Sequence, residues 1–232
     1  MAASAGYSPS EYLIVRLHNK HAHNLRSTHL SVFNLLIFSQ AFGDCQRSAS
    51  EVLQRFKAAV PDVRVSETDF GLCVNAIRKQ LRDKGHTVPL EPSLWHVLNG
   101  VRVLLIDDNP QCWELALELA FGCRVDVLPT LASSSDLITS QFAGYGLILL
   151  DLYLDSSGQP TGLRILDSLG QIQNLPPVLL FSASNQISDF ARAQSYNAFC
   201  GFVGKSMEDP NNFEPYEVLR QSVSRVFANQ GV

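Results

Sequence analysis

The chain has 232 residues, 46% of them hydrophobic and 17% charged, with a formal net charge of −4. This composition excludes a disordered or fibrous chain and fits a globular protein able to bury a core; no apolar run approaches the ~18 residues that span a bilayer, and the opening MAASAGYSPSEYL lacks the basic and apolar regions of a signal peptide. The five cysteines (Cys45, Cys73, Cys112, Cys123 and Cys200) are odd in number, widely spread and without a CxxC pair, which points to buried, reduced thiols in a cytoplasmic protein.

Charge divides unevenly along the chain. Residues 1–99 carry 11 Lys/Arg against 8 Asp/Glu and all six histidines, whereas residues 100–232 carry 7 against 14. Such asymmetry argues for two domains with different partners, bounded near residue 99. The first begins with Ser8-Pro9-Ser10-Glu11, a capping box with proline at the first helical position. Ile14, Leu17, Leu25, Val32 and Leu36 continue an apolar stripe, and Gly43-Asp44 ends it. The spacing predicts one helix to about Phe42, roughly 50 Å long. A helix of that length needs a bundle or a dimer to cover it. A second helix opens at the box Ser48-Ala49-Ser50-Glu51 and stops before Pro61; a third opens at Ser66 and is capped by Gly85. Residues 85–99, with Pro89 and Pro92, form a linker that Trp95 and Val97 should pack down.

From Val101 the pattern becomes strand-like. Strands are expected over 101–107, 124–128, 147–151, 177–182 and 199–204, and helices over 110–121, 133–141, 162–169, 186–196 and 212–228. Five strands alternating with helices predict an α/β fold: a (βα)5, doubly wound parallel sheet over 100–232, preceded by an all-α region over 1–99. In such a sheet ligands bind beyond the carboxyl ends of the strands. Four segments bring polar groups there: VRVLLIDDN, LILLDL, VLLFSA and FVGKS. Asp107, Asp108, Asp151, Ser182 and Lys205 should therefore gather on one edge, a set suited to a divalent metal and a phosphoryl group.

In these motifs the second half resembles the flavodoxin-like receiver domain of bacterial two-component response regulators. Asp107 and Asp108 match the family's acidic pair, Asp151 its phosphoacceptor, Ser182-Ala183 its hydroxyl residue and alanine, Lys205 its lysine, and Phe202 the aromatic three residues earlier. The resemblance implies a Mg²⁺ ion held by Asp108 and Asp151, by Asp107 directly or through water, and by the backbone carbonyl of Tyr153. It implies that Asp151 becomes an acyl phosphate, with Lys205 and Ser182 on the phosphoryl oxygens. Ser182 and Phe202 then form the switch. The implied partners are a histidine kinase or phosphotransfer protein upstream and an output protein downstream.

Two departures stand out. Ser206 replaces the family's proline after the lysine, so either the Lys205–Ser206 bond is trans or the turn is strained, since a non-proline cis bond costs ~3 kcal/mol. Gly162 follows the acceptor by eleven residues, where the family's glycine comes eight residues on, and Asp155-Ser156-Ser157-Gly158-Gln159-Pro160 makes the loop longer.

Other features carry weaker readings. His18 and His21 share a helix face, but no Cys or acid completes a metal site, and ordinary helix histidines are the plainer reading. His23-Asn24-Leu25-Arg26-Ser27 faintly resembles the phosphoacceptor box of histidine kinases, with His23 as the acceptor, but Thr28-His29-Leu30 replaces the expected Pro-Leu. The basic stretch Val74–Lys84 suits a DNA-recognition helix, although a charge run is more often a solvated face. The sequence thus predicts a cytoplasmic, homodimeric response regulator whose helical region contacts a partner, with DNA binding or a His23 phosphorelay as the alternatives.

Overall fold

The computed structural model describes residues 9–22, 25–129, 142, 144–155, 158–183 and 187–229. The Ser8 cap, the helix expected over 133–141, and His23 lie outside them.

The helical region differs from expectation at its start. Two helices, α1 (Pro9–Ala22) and α2 (Ser27–Phe42), stand where one long helix was expected. Arg26 is extended, with φ −62° and ψ 151°. A straight helix would hold Ile14 roughly 28 Å from Phe33. Instead Ile14 and Leu17 line one small cavity together with Phe33, Ile37 and Phe38, and Ile14 is buried. Burying such a side chain is worth about 1.5–3 kcal/mol, which outweighs helix continuity over a few residues. The break is invisible in sequence because no Gly or Pro marks it. The length argument for a dimer loses its premise, since α1 packs on the chain's own α4.

The remaining helices of the region are α3 (Ala49–Ala59), α4 (Glu67–Asp83) and α5 (Leu94–Leu98). Ser48 and Ser66 cap α3 and α4 by accepting from the Glu51 and Asp69 backbone N–H groups at 3.2 and 3.1 Å. The proline-rich linker is packed down: the Leu90 N–H donates to the Phe42 carbonyl, and Leu94 and Leu98 are buried. Helix α2 is the centre of the region. Every residue from Ser31 to Phe42 is buried, as befits a helix that is mostly apolar all round.

The sheet comprises β1 (Arg102–Ile106), β2 (Arg124–Leu128), β3 (Leu147–Leu150), β4 (Val178–Ser182) and β5 (Phe199–Gly204). All pairings are parallel, in the order β2-β1-β3-β4-β5. This is the doubly wound arrangement that the alternation predicts. Between strands run α6 (Trp113–Phe121), α7 (Thr161–Leu169) and α8 (Ile187–Ala193), and α9 (Glu214–Ala228) closes the chain's described part.

Alternate side chains of each strand serve opposite faces. Leu104, Ile106, Ile148, Leu150 and Leu180 pack with Leu163, Leu166 and Ala193 of α7 and α8. Val103, Leu105, Leu149, Leu179 and Phe181 join α6, α9 and the helical region in one continuous apolar cluster. Helix α2 packs against α6 and α4, and α3 touches α2, α4 and α6. No described helix is long and apolar enough to cross a membrane.

Candidate functional site

Strands β1 and β3 are neighbours, and the order reverses between them, so a crevice opens beyond their carboxyl ends. Asp107 and Asp108 follow β1, Asp151 follows β3, Ser182 ends β4 and Lys205 follows β5. The sheet's own hydrogen bonding fixes three of these positions. Asp107 N–H donates to the Leu128 carbonyl at 3.1 Å, Asp151 N–H to that of Ile106 at 2.9 Å, and Lys205 N–H to that of Ser182 at 2.9 Å. Adjacent parallel strands ending in register are enough to bring acids from distant sequence positions together.

Oxygens of Asp107, Asp108 and Asp151 lie within 4.8 Å of one another. The Lys205 ammonium sits between two of them, 2.6 Å from Asp107 Oδ2 and 2.5 Å from Asp151 Oδ2. The Ser182 hydroxyl donates to Asp151 Oδ1 at 2.7 Å, and the Tyr153 N–H reaches the same oxygen at 3.3 Å. Asp107 Oδ1 accepts from the Asn109 N–H at 2.9 Å. Asp107, Asp151, Ser182 and Lys205 are buried, while Asp108 is exposed.

Partial burial, followed by the charges of Asp107 and Asp151, pushes the Asp108 carboxyl above its ordinary value, with Lys205 opposing. Three carboxylates against one ammonium leave excess negative charge, and all the donors are hard oxygens. That set fits a small divalent cation such as Mg²⁺. Among the described residues, this trio is the group of His, Cys, Asp or Glu that converges closely enough to hold a metal.

The structure brings together all five residues expected at the strand ends. Tyr153 also lines the cavity, its hydroxyl donating to Asp189 Oδ2 at 2.7 Å. Phe202 is half-buried on the α7/α8 side of the sheet, edge-on to Phe190 with ring centroids 5.9 Å apart. The described cis peptides are Val88–Pro89 and Glu91–Pro92, so Lys205–Ser206 is trans, and the lysine amine still reaches both acids.

Gly162 is placed as a close-approach glycine should be. A Cβ there would come within 2.2 Å of the Asp151 carbonyl oxygen, and the Gly162 N–H donates to the Leu152 carbonyl at 2.9 Å. The eleven-residue spacing thus still brings Gly162 against the backbone of Asp151 and Leu152. Ser156 and Ser157 within it are outside the described residues.

His23 and the side chains of His18 and His21 are also outside the description. On the basic helix α4, Arg78 donates to the Gln40 carbonyl at 2.7 Å, Lys79 pairs with Asp83 at 2.6 Å, and the Lys84 amine lies 4.6 Å from the centroid of the Phe213 ring. Much of its charge is thus engaged within the chain.

The acid cluster floors a cavity of about 570 Å³ whose lining includes residues the motif reading did not reach: Ser27, Thr28 and Ser31 of α2, Trp113 of α6, and Glu208. Their nearness to Asp151 is a tertiary fact with no local signature. The signal available was the spacing of Ser27, Ser31 and Asn34, which place polar groups along one stripe of an otherwise apolar helix.

No family model matches the sequence, and no curated protein matches it. Among solved structures, the chain is similar to the response regulator TrrA from Thermotoga maritima in complex with Mg²⁺-BeF, at 22% identity and a TM-score of 0.39, over 54% of this chain and 98% of that one. It is similar to a response regulator receiver protein from Pseudoalteromonas atlantica at 16% identity and a TM-score of 0.41, over 56% and 98%. It is likewise similar to the response regulator DrrB, a Thermotoga maritima OmpR/PhoB homolog, at 15% identity and a TM-score of 0.39, over 56% and 54%.

Proposed function

We propose that the protein is a cytoplasmic response regulator in which Asp151 takes up a phosphoryl group from a phosphohistidine on a histidine kinase or phosphotransfer protein. Residues 100–232 serve as the receiver, and residues 1–99 pass its state to an output partner. The observation that carries the reading is the convergence of three acids, a hydroxyl and a buried lysine on one crevice.

The chemistry follows from the residue types. A carboxylate oxygen of Asp151 attacks phosphorus, the P–N bond of the donor breaks, and its electron pair returns to the imidazole, which takes up a proton. Asp151 is left as a mixed anhydride. Both its oxygens are engaged beforehand, Oδ1 by Ser182 and Oδ2 by Lys205. The incoming group therefore takes over these partners: the ammonium moves onto phosphoryl oxygens and the hydroxyl donates to one of them. Asp107, Asp108 and Asp151, with the Tyr153 carbonyl, would hold Mg²⁺, which when bound supplies charge neutralisation for the phosphoryl oxygens. Catalysis is then chiefly positioning and electrostatics. As Ser182 swings onto the phosphoryl group, Phe202 turns into the space it leaves, a two-state shift biased by new contacts.

Incubation with acetyl phosphate and Mg²⁺ tests this. Intact-mass measurement is expected to show one added phosphoryl group in the natural chain and none in Asp151→Asn. A mass gain that survives Asp151→Asn, or none in the natural chain, refutes the assignment.

A further inference from the structure

We propose that the helical region reads the acceptor site directly, through the first two turns of α2, with Ser27, Ser31 and Asn34 as the contacts that carry the signal. The proposal rests on the reading of Asp151 as phosphoryl acceptor and names how that site is coupled to the rest of the chain.

The residues after Lys205 do not run free. The Met207 side chain is buried. Its N–H donates to Ser31 Oγ at 3.3 Å, and its carbonyl accepts from Asn34 Nδ2. One residue on, the Glu208 carboxylate accepts from the Ser27 hydroxyl. Residues 27, 31 and 34 fall on one stripe of a helix, four and three positions apart. Of these, Ser31 and Asn34 are buried; buried polar groups are costly unless paired, and here the pairing goes to the segment that follows the lysine. Ser27, Thr28, Ser31 and Glu208 also share a cavity with Asp107, Asp108 and Asp151. Helix α2 thus starts at the mouth of the acceptor site and grips the strand-end loop that positions its only close cation among the described residues.

Phosphorylation changes what that loop must do. The anhydride moves negative charge from the carboxylate out to phosphoryl oxygens, so the Lys205 ammonium must follow. Met207 is two residues away and is held by α2. A displacement of Lys205 is therefore passed to Ser31 and Asn34 within one loop. Asn34 Oδ1 is buried and accepts no hydrogen bond within the chain, so a shift of the loop that brought it a donor would offset part of the cost of moving. The rest of α2 is enclosed from Ser31 to Phe42, and rigid packing transmits rather than absorbs a shift. Phe33 lies 5.7 Å from both Phe56 of α3 and Phe70 of α4, measured between ring centroids. Those two helices are where the movement emerges.

Hydrogen exchange of the full chain, with and without Mg²⁺ and beryllofluoride, tests the coupling, while the ¹⁹F spectrum of the bound ligand reports occupancy in the same samples. In the natural chain, occupancy is expected to change exchange in α2, α3 and α4. In Ser31→Ala and Asn34→Ala, compared at full occupancy, the change in α3 and α4 is expected to be lost. Asn34→Ala leaves a buried gap; should it fail to fold, Ser31→Ala and Ser27→Ala, which remove only a hydroxyl, decide the matter. Bound beryllofluoride with no exchange change in α2, or a full change surviving in Ser31→Ala with Ser27→Ala, overturns the coupling. Absence of bound beryllofluoride in the natural chain overturns the acceptor reading itself, and with it this proposal.

Discussion

Asp44 has no solvent exposure, yet its charge is fully met. Oδ2 accepts from the Tyr216 hydroxyl and from Arg220 Nε, each at 2.9 Å, and Oδ1 from the Leu94 N–H at 2.8 Å. The same aspartate looked like a simple helix stop in the Gly43-Asp44 pair, because its partners lie 50 to 176 residues away. Burial, and then the charge of Asp44, holds the Tyr216 phenol well above its ordinary value, against Arg220 and with Cys45 adding slightly. The folded chain keeps this proton, whereas the unfolded chain releases it above about pH 10. The stability it contributes is therefore complete below that pH and is lost as pH rises from there towards the folded value. Tyr216→Phe is expected to flatten the alkaline side of the stability profile in denaturant titrations. At neutral pH it should cost about 1.5–3 kcal/mol, the range for a hydrogen bond to a charged group.

Elements differ in how far the sequence announces them. The five strands and the acids after β1 and β3 were legible, because apolar runs that stop at a polar group need only parallel pairing in register to bring those groups together. The caps of α3 and α4 were legible for a local reason, a serine three residues before an acid. The break between α1 and α2 was not, because the gain that produces it is the burial of Ile14 against a partner helix. The same holds for the Ser27, Ser31 and Asn34 contacts, whose partners come after β5. In helix α7 the sequence shows only an unusual spacing, Gly162 eleven residues after Asp151, and not the close approach that it makes. Its second residue, Gly162, lies against the Asp151 backbone despite the longer loop. Gly162→Ala is expected to destabilise the fold by about 1–3 kcal/mol through overpacking. It should also push Asp151 out of line with Asp107, seen as weaker Mg²⁺ binding in a calorimetric titration.

For the whole molecule, the decisive feature is that one apolar cluster spans the helical region, α6, α9 and one face of the sheet. Charge and composition suggested a boundary near residue 99, and the backbone does change character there, but packing continues across it. Contacts that bury apolar groups from both sides couple their unfolding. A single thermal transition is expected for the full chain, with calorimetric and van't Hoff enthalpies in agreement. Two resolved transitions would show that the shared cluster contributes little to cooperativity.

The place of α2 sets a condition on engineering. Its buried length closes over α6, so a graft that joined residues 100–232 alone to a foreign effector would carry a bare oily flank into water. A chimera that retains this helix, or replaces it with one presenting matching bulk towards α6, keeps that flank covered. Any transplant of residues 100–232 would therefore need this helix moved along with it.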